Sequence, residues 1–321
     1  MIRFERVAML GIGLVNGSLA LVLRKRGAAG EIVACARRER TRERALALGL
    51  CDRALADPAE TVRGADLVVL GVPPAAMGEV AEAMRPGLDP AAIVTDVGSV
   101  KAQIIHDVAP HLPDPSRFVP GHPVAGTEHS GPDAAFETLF VGRRVILTPI
   151  EDTDPEAVKA VRRLWELTGA SVDLMTPEHH DRVLAITSHL PHLIAYTIVG
   201  TVADLEKQTQ SEVFKYAAGG FTDFTRIAAS DPVMWRDVFL NNREAVLEML
   251  GRFTEDLVRL QRAIRWGDGD VLYELFSRTR AIRRAVIKAG QAYDRLPVPP
   301  EAAGENGEEA DGERAEDQSA A

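Results

Sequence analysis

The residues best suited to chemistry fall into a few clusters. Gly11-Ile12-Gly13-Leu14-Val15-Asn16-Gly17-Ser18 follows an apolar stretch and opens a helical one. Gly11 permits a tight turn, and Gly13 lets a pyrophosphate approach the backbone. A helix N-terminus then supplies N–H groups and a positive dipole end. Gly11, Ile12, Gly13, Leu14, Val15 and Asn16 are therefore candidate dinucleotide-binding residues, against the alternative of an ordinary tight turn. The third fingerprint position is Asn16 rather than glycine, with Gly17 next to it. Further on the chain reads Ala34-Cys35-Ala36-Arg37-Arg38. An NAD site usually places an acid near Ala36 to bond the ribose hydroxyls. Its absence, with Arg37 and Arg38 following, suits a 2′-phosphate and favours NADP over NAD. The alternative for the two arginines is a solvated loop pair.

Two more clusters are Asp96-Val97-Gly98-Ser99-Val100-Lys101 and Gly121-His122-Pro123-Val124-Ala125-Gly126-Thr127-Glu128. The first follows the C-terminal end of a strand, where open parallel sheets collect ligands. Ser99 reads as a site residue or a helix cap, and Lys101 as a site residue or a structural counter-charge. The second is expected to be a loop fixed by glycine and proline that aims His122 at a substrate. The later half holds Ser188-His189-Leu190-Pro191-His192, then Arg226 within GGFTDFTRIA, then Trp235 within SDPVMWRD. His179 and His180 fall in the first turn of a helix and read as surface groups. No HExxH, close Cys/His set, GxSxG or P-loop occurs, so no metal site is expected.

Alternating strands and helices must position the first clusters. Strands are expected at 6–10, 31–36, 66–72, 92–96 and 144–148, with helices at 18–26, 40–48, 75–84 and 155–168. DLVVLGV is continuously apolar, as in a strand buried on both faces. The pattern is α/β, a doubly wound parallel sheet over 1–175. From Thr176 it turns all-helical. Thr176-Pro177 is a helix start, and helices follow over 193–207, 237–266 and 271–289. Leu240, Leu247, Leu250, Leu257, Leu260 and Ile264 form a stripe expected to be buried, either within the chain or between subunits. The helical domain is expected over 176–297, binding substrate and forming a homodimer. Residues 298–321 are expected to be a disordered acidic tail: 301–321 hold eight acids, one Arg and no Val, Ile, Leu or aromatic residue.

The formal charge is −10, of which that tail supplies −7. No basic block stands out, which argues against nucleic acid as a partner. Cys35 and Cys51 stand alone, so a disulfide framework is not expected. The start, MIRFERVAML, alternates like a strand and lacks the apolar core of a signal peptide. The apolar runs are short for a membrane span. A cytoplasmic protein without membrane contact is expected.

GIGLVNGSLA, TDVGSVK, GHPVAGTEHSG, SHLPH and GGFTDFTRIAASDPVMWRDVF, in that order, resemble the prephenate and arogenate dehydrogenase family of tyrosine biosynthesis over about residues 5–295. Asn16 and the basic ribose loop depart from its pattern. The fused mutase or regulatory domain common in that family is not expected in the remaining sequence. The resemblance implies an oxidative decarboxylation of a cyclohexadienyl substrate, with hydride passing from ring C4 to NAD(P)+. It implies His122 as the group that accepts the 4-hydroxyl proton, and Ser99 as its orienting partner. It implies Arg226 as a fork on a substrate carboxylate and His192 as a substrate contact, with His189 in reserve. Trp235 would wall the pocket, and Glu128 could meet the ammonium of arogenate. Two other readings are a two-domain 3-hydroxy acid dehydrogenase, which would need a catalytic lysine on a long helix, and a non-enzymatic nucleotide-sensing scaffold.

Overall fold

A computed structural model of the chain describes residues 2–127, 129–205, 212, 215–217 and 219–286. Six strands form one parallel sheet: β1 (Phe4–Leu10), β2 (Ala29–Cys35), β3 (Arg53–Leu55), β4 (Leu67–Leu70), β5 (Ile93–Asp96) and β6 (Phe118–Val119), in the order β3-β2-β1-β4-β5-β6. The chain reverses direction of travel across the sheet between β1 and β4, which opens a crevice at their C-terminal ends. Helices α1 (Leu14–Lys25), α2 (Glu39–Ala47), α3 (Pro58–Val62), α4 (Met77–Met84), α5 (Ala102–Val108) and α6 (Pro155–Leu167) accompany it.

Strand periodicity explains the continuous apolar runs. Val7 and Met9 of β1 and Leu67 and Val69 of β4 enter one core, with Leu19 and Leu23 of α1 and Val161, Leu164 and Trp165 of α6. Their neighbours Ala8, Leu10, Val68 and Leu70 enter the opposite core, with Met77, Ala81 and Met84 of α4 and Ile104 and Val108 of α5. Successive side chains point to opposite faces, so a sheet covered on both faces needs no polar alternation.

Residues 144–148, expected in the parallel sheet, lie elsewhere. β7 (Gly121–Val124), β8 (Arg144–Leu147) and β9 (Ser171–Leu174) form a separate sheet, with β7 antiparallel to β8 and β8 parallel to β9. Proline at 120 carries no N–H with which to extend the ladder beyond β6. Its carbonyl instead accepts from the Thr148 N–H at 2.9 Å, which continues the pairing of β7 with β8 past Gly121 and Leu147. His122 therefore sits on a strand, paired with Ile146, rather than in the expected loop.

Beyond β9 the described elements are helical: α7 (Pro177–Leu184), a π-turn at Ala185–His189, α8 (Leu190–Ala203), α9 (Gly219–Thr225), α10 (Pro232–Asn241), α11 (Arg243–Trp266) and α12 (Gly269–Val286). Thr176 caps α7 by accepting the His179 N–H at 3.3 Å, and Asp231 caps α10 by accepting those of Val233 and Met234. Pro177–Ala203 runs as 27 continuous helical residues, long and apolar enough by length and composition to cross a membrane, contrary to the expectation that the apolar runs are short. Its inward face nevertheless carries His180, Asp181 and His189, all buried.

The chain divides into two compact units, Met1–Arg262 and Ala263–Ala321. The boundary expected at 175/176 lies inside the first. The expected stripe is not buried within one chain: Leu240, Leu247, Leu257 and Ile264 are exposed, and Leu250 and Leu260 half-buried. α11 covers Val246 and Ala263 instead. α12 has no buried residue. The expected acidic tail and the ends of the helices expected at 193–207 and 271–289 lie outside the described residues.

Candidate active site

The glycine turn follows β1 directly. Gly11 has φ +90°, and a Cβ there would lie 2.7 Å from the Gly71 carbonyl oxygen, so both turn and packing require glycine. A Cβ at Gly13 would meet only open space. α1 begins there with no side-chain cap and no acid in its first turn, which leaves its first N–H groups for an anion. These features fit a dinucleotide pyrophosphate. Ile12 is buried in the core, and Leu14 and Val15 pack against it, so this segment offers its backbone. Asn16 is buried with its side chain turned inward: Nδ2 donates to the carbonyls of Gly11 (2.8 Å) and Val69 (3.2 Å). The asparagine at the third fingerprint position thus ties the ends of β1 and β4 at the crevice.

At the end of β2, Arg37 and Arg38 are exposed. Arg42 of α2 donates through Nη1 to the carbonyls of Ala36 and Arg37, both at 2.9 Å, and holds the loop's backbone. This basic loop lies at the same edge of the sheet as the glycine turn.

β5 ends in a buried ion pair. Lys101 Nζ contacts Asp96 and donates to the Gly121 carbonyl at 2.7 Å, and Asp96 accepts the N–H of Gly121 at 3.1 Å and of Gly98 at 2.8 Å. Lys101 thereby clamps the start of β7 against the end of β5. Burial pushes its ammonium pKa down, opposed by Asp96. His122 follows Gly121 directly, and its Nδ1 lies 2.8 Å from Nε2 of His180. His180 Nδ1 lies 2.8 Å from Asp181, whose carboxylate accepts the N–H groups of Lys101 (2.8 Å) and Ala102 (2.9 Å). Asp181, not Ser99, caps α5. Burial pushes the His122 pKa well below its ordinary value, aided by His180, Lys101 and His189. The imidazole is therefore neutral at neutral pH, as a proton acceptor must be.

The helical residues gather around Trp235. His192 stacks on its ring, with centroids 3.6 Å apart, and bonds through Nδ1 to the Ser188 carbonyl at 2.9 Å. His189 meets the same indole edge-on and is fully buried. Its Nδ1 lies 3.1 Å from Nδ2 of Asn242, which also donates to the Asp181 carbonyl. Burial pushes the His189 pKa down to about 4. Ser99 is half-buried, with its backbone against His189. Arg226 opens a short turn at Arg226–Ala229, is exposed, and its charge helps lower the pKa of His192 after burial. Glu128 lies outside the described residues.

Residues 19–174 match the family profile of the prephenate dehydrogenase nucleotide-binding domain, and residues 176–278 that of the prephenate dehydrogenase dimerization domain. The chain belongs to the prephenate dehydrogenase family. It is 43% identical over 283 residues to the cyclohexadienyl dehydrogenase of Zymomonas mobilis, covering 88% of this chain and 96% of that one. It is 32% identical over 280 residues to the prephenate dehydrogenase of Bacillus subtilis, covering 87% of this chain and 75% of that one. The crystal structure of Aquifex aeolicus prephenate dehydrogenase in complex with hydroxyphenyl propionate and NAD+ superposes with a TM-score of 0.81, at 37% identity, covering 88% of this chain and 98% of that one. Synechocystis arogenate dehydrogenase gives a TM-score of 0.73 at 31% identity, covering 88% and 99%. This member of the family is an NAD(P)-dependent dehydrogenase with a Rossmann-like domain followed by a helical one.

The sequence reading of this dehydrogenase missed His180, Asp181 and Asn242. It set His180 beside His179 as a surface group, yet only His179 is exposed. A signal was present. Pro177, His180, Asp181 and Leu184 recur at the spacing of one helix face, and these four are the buried residues of α7. Two polar residues on an apolar face call for partners. Asn242, just beyond the last residue of α10, gave no such pattern.

Proposed function

We propose that this chain oxidatively decarboxylates prephenate or arogenate, giving 4-hydroxyphenylpyruvate or tyrosine. The observation that carries the reading is the neutral His122 imidazole, anchored at the C-terminal edge of the nucleotide-binding sheet and backed by the helical segment. Gly11–Val15 would hold the dinucleotide through its pyrophosphate, and its nicotinamide would supply the acceptor for the hydride of ring C4. His122 takes the proton of the 4-hydroxyl as C4 gains carbonyl character. The electrons of the C1–carboxylate bond then enter the ring, carbon dioxide leaves, and His122 returns its proton to the phenolate oxygen. Ser99 orients the hydroxyl. Arg226 forks onto a carboxylate, and His192, braced by Trp235, contacts the substrate. Glu128 is proposed to meet the ammonium when arogenate is bound.

NADP is the proposed preferred cofactor, because no acid ends β2 and Arg37 and Arg38 stand exposed there. The proposed assembly is a homodimer through the helical domain of 176–297, supported by the exposed Leu247, Leu257, Ile264, Tyr273 and Phe276 of α11 and α12. Light scattering at micromolar concentration should give twice 34.8 kDa; the monomer mass would overturn the dimer. Cytoplasmic function is supported by two free, buried thiols, Cys35 and Cys51. Initial rates of nicotinamide reduction on prephenate and on arogenate, each with NAD and with NADP, test activity, substrate and cofactor together. No reduction with any of the four combinations would refute the reading.

A further inference from the structure

The His122–His180–Asp181 chain joins β7 to α7 and has a direction. Both oxygens of Asp181 accept backbone N–H groups, through Oδ1 from Lys101 and through Oδ2 from Ala102. Oδ1 also meets His180 Nδ1 at 2.8 Å. A carboxylate oxygen already accepting an N–H can only accept again, so His180 Nδ1 carries the hydrogen. In a neutral imidazole the other nitrogen is then an acceptor, so His180 Nε2 presents a lone pair. That lone pair faces His122 Nδ1 at 2.8 Å, which must donate. The remaining nitrogen of His122, Nε2, is left with a lone pair.

We propose that His180 and Asp181 are positioning residues that fix His122 as the Nδ1–H tautomer, leaving its Nε2 as the proton acceptor. The chain is buried throughout, with His180 and Asp181 almost wholly excluded from solvent, so water does not compete for these bonds. The rings stand edge-on, 5.0 Å between centroids, which aims the His122 N–H along the plane of its partner. When His122 takes a proton at Nε2, its Nδ1–H remains bonded to His180 Nε2. The new positive charge is then held opposite the Asp181 carboxylate through one neutral ring. No proton need leave His122 along the chain, because the phenolate oxygen recovers it. The amides of Lys101 and Ala102 occupy both Asp181 oxygens as acceptors and hold the carboxylate in place against His180.

The role as catalytic positioning rests on the reading of His122 as the base; the tautomer does not. Histidine-selective 15N labelling therefore tests the tautomer without substrate. In the parent protein, His122 should show a protonated Nδ1 and an unprotonated Nε2. A protonated Nε2 there would overturn the proposal. His180→Gln, which places an acceptor oxygen toward His122 Nδ1, should keep the tautomer and most of the turnover. His180→Leu removes the acceptor. It should populate the Nε2–H tautomer and lower kcat by about 10²-fold or more, with KM and dinucleotide binding close to the parent. Equal loss in the Gln and Leu variants, or full kcat in the Leu variant, would refute positioning. If the tautomers behave as stated while the parent turns over neither prephenate nor arogenate, the functional reading fails and the tautomer assignment stands.

Discussion

Acidification should unfold this protein through its buried imidazoles, and His189 gives the clearest magnitude. Its pKa is pushed down to about 4 in the folded chain, mainly by burial, whereas an unfolded histidine titrates near 6.5. Above the unfolded value both states are neutral and the stabilisation is fully present. Between the two values the unfolded chain binds one proton more than the folded chain, so stability falls by about 1.4 kcal/mol per pH unit. Over the whole window the loss is about 3 kcal/mol, and below the folded pKa it stops growing. The perturbation is His189→Met, which removes the titrating ring and keeps an apolar side chain against Trp235. Asn242 retains its bond to the Asp181 carbonyl. Urea unfolding of parent and variant across that pH window is the assay, and the quantity compared is the change in ΔG with pH. The baseline difference between the two chains drops out. His122, His180 and His192 also have lowered pKa values and contribute in the same direction to both chains. The variant should lose about 3 kcal/mol less than the parent on acidification. Equal losses would show that His189 is not a group that must charge on unfolding.

His122→Asn should lower kcat by about 10²- to 10⁴-fold while dinucleotide binding persists, since an amide can bond the hydroxyl but not take its proton; near-normal kcat would remove His122 as the base. Arg226→Ala should act mainly on KM for substrate, read from steady-state rates, because a carboxylate fork acts before chemistry begins. Replacing Arg37 and Arg38 together with alanine should weaken NADP binding and leave NAD binding nearly unchanged, measured by nucleotide titration. Lys101→Met strands Asp96 as a buried carboxylate without its cation and should cost about 3–5 kcal/mol in urea unfolding, toward the lower end because two backbone N–H groups still reach Asp96.

Local information lies close to the surface of this sequence. The turn after β1 needs glycine at 11 for its positive φ, and any reader of strand, glycine and helix meets it directly. The strands of the parallel sheet announce themselves because burial on both faces selects unbroken apolar runs. His122 and the residues around it are readable as motif residues, since glycine and proline spacing is a property of adjacent positions. Non-local pairing is not. β8 has the same apolar pattern as the parallel strands, and only its pairing with β7 shows that it belongs to a different sheet. The face of α11 expected to be buried is exposed because one chain offers Val246 and Ala263 to the interior instead. His180 looks like a surface residue until α7 packs against β7 and α5, because a hydrogen bond 58 positions distant in sequence leaves no local mark. The sequence alone therefore determined the glycine turn after β1 and the motif that carries His122. The tertiary structure alone decided which lone pair that histidine presents, because the tautomer depends on a carboxylate two hydrogen bonds away.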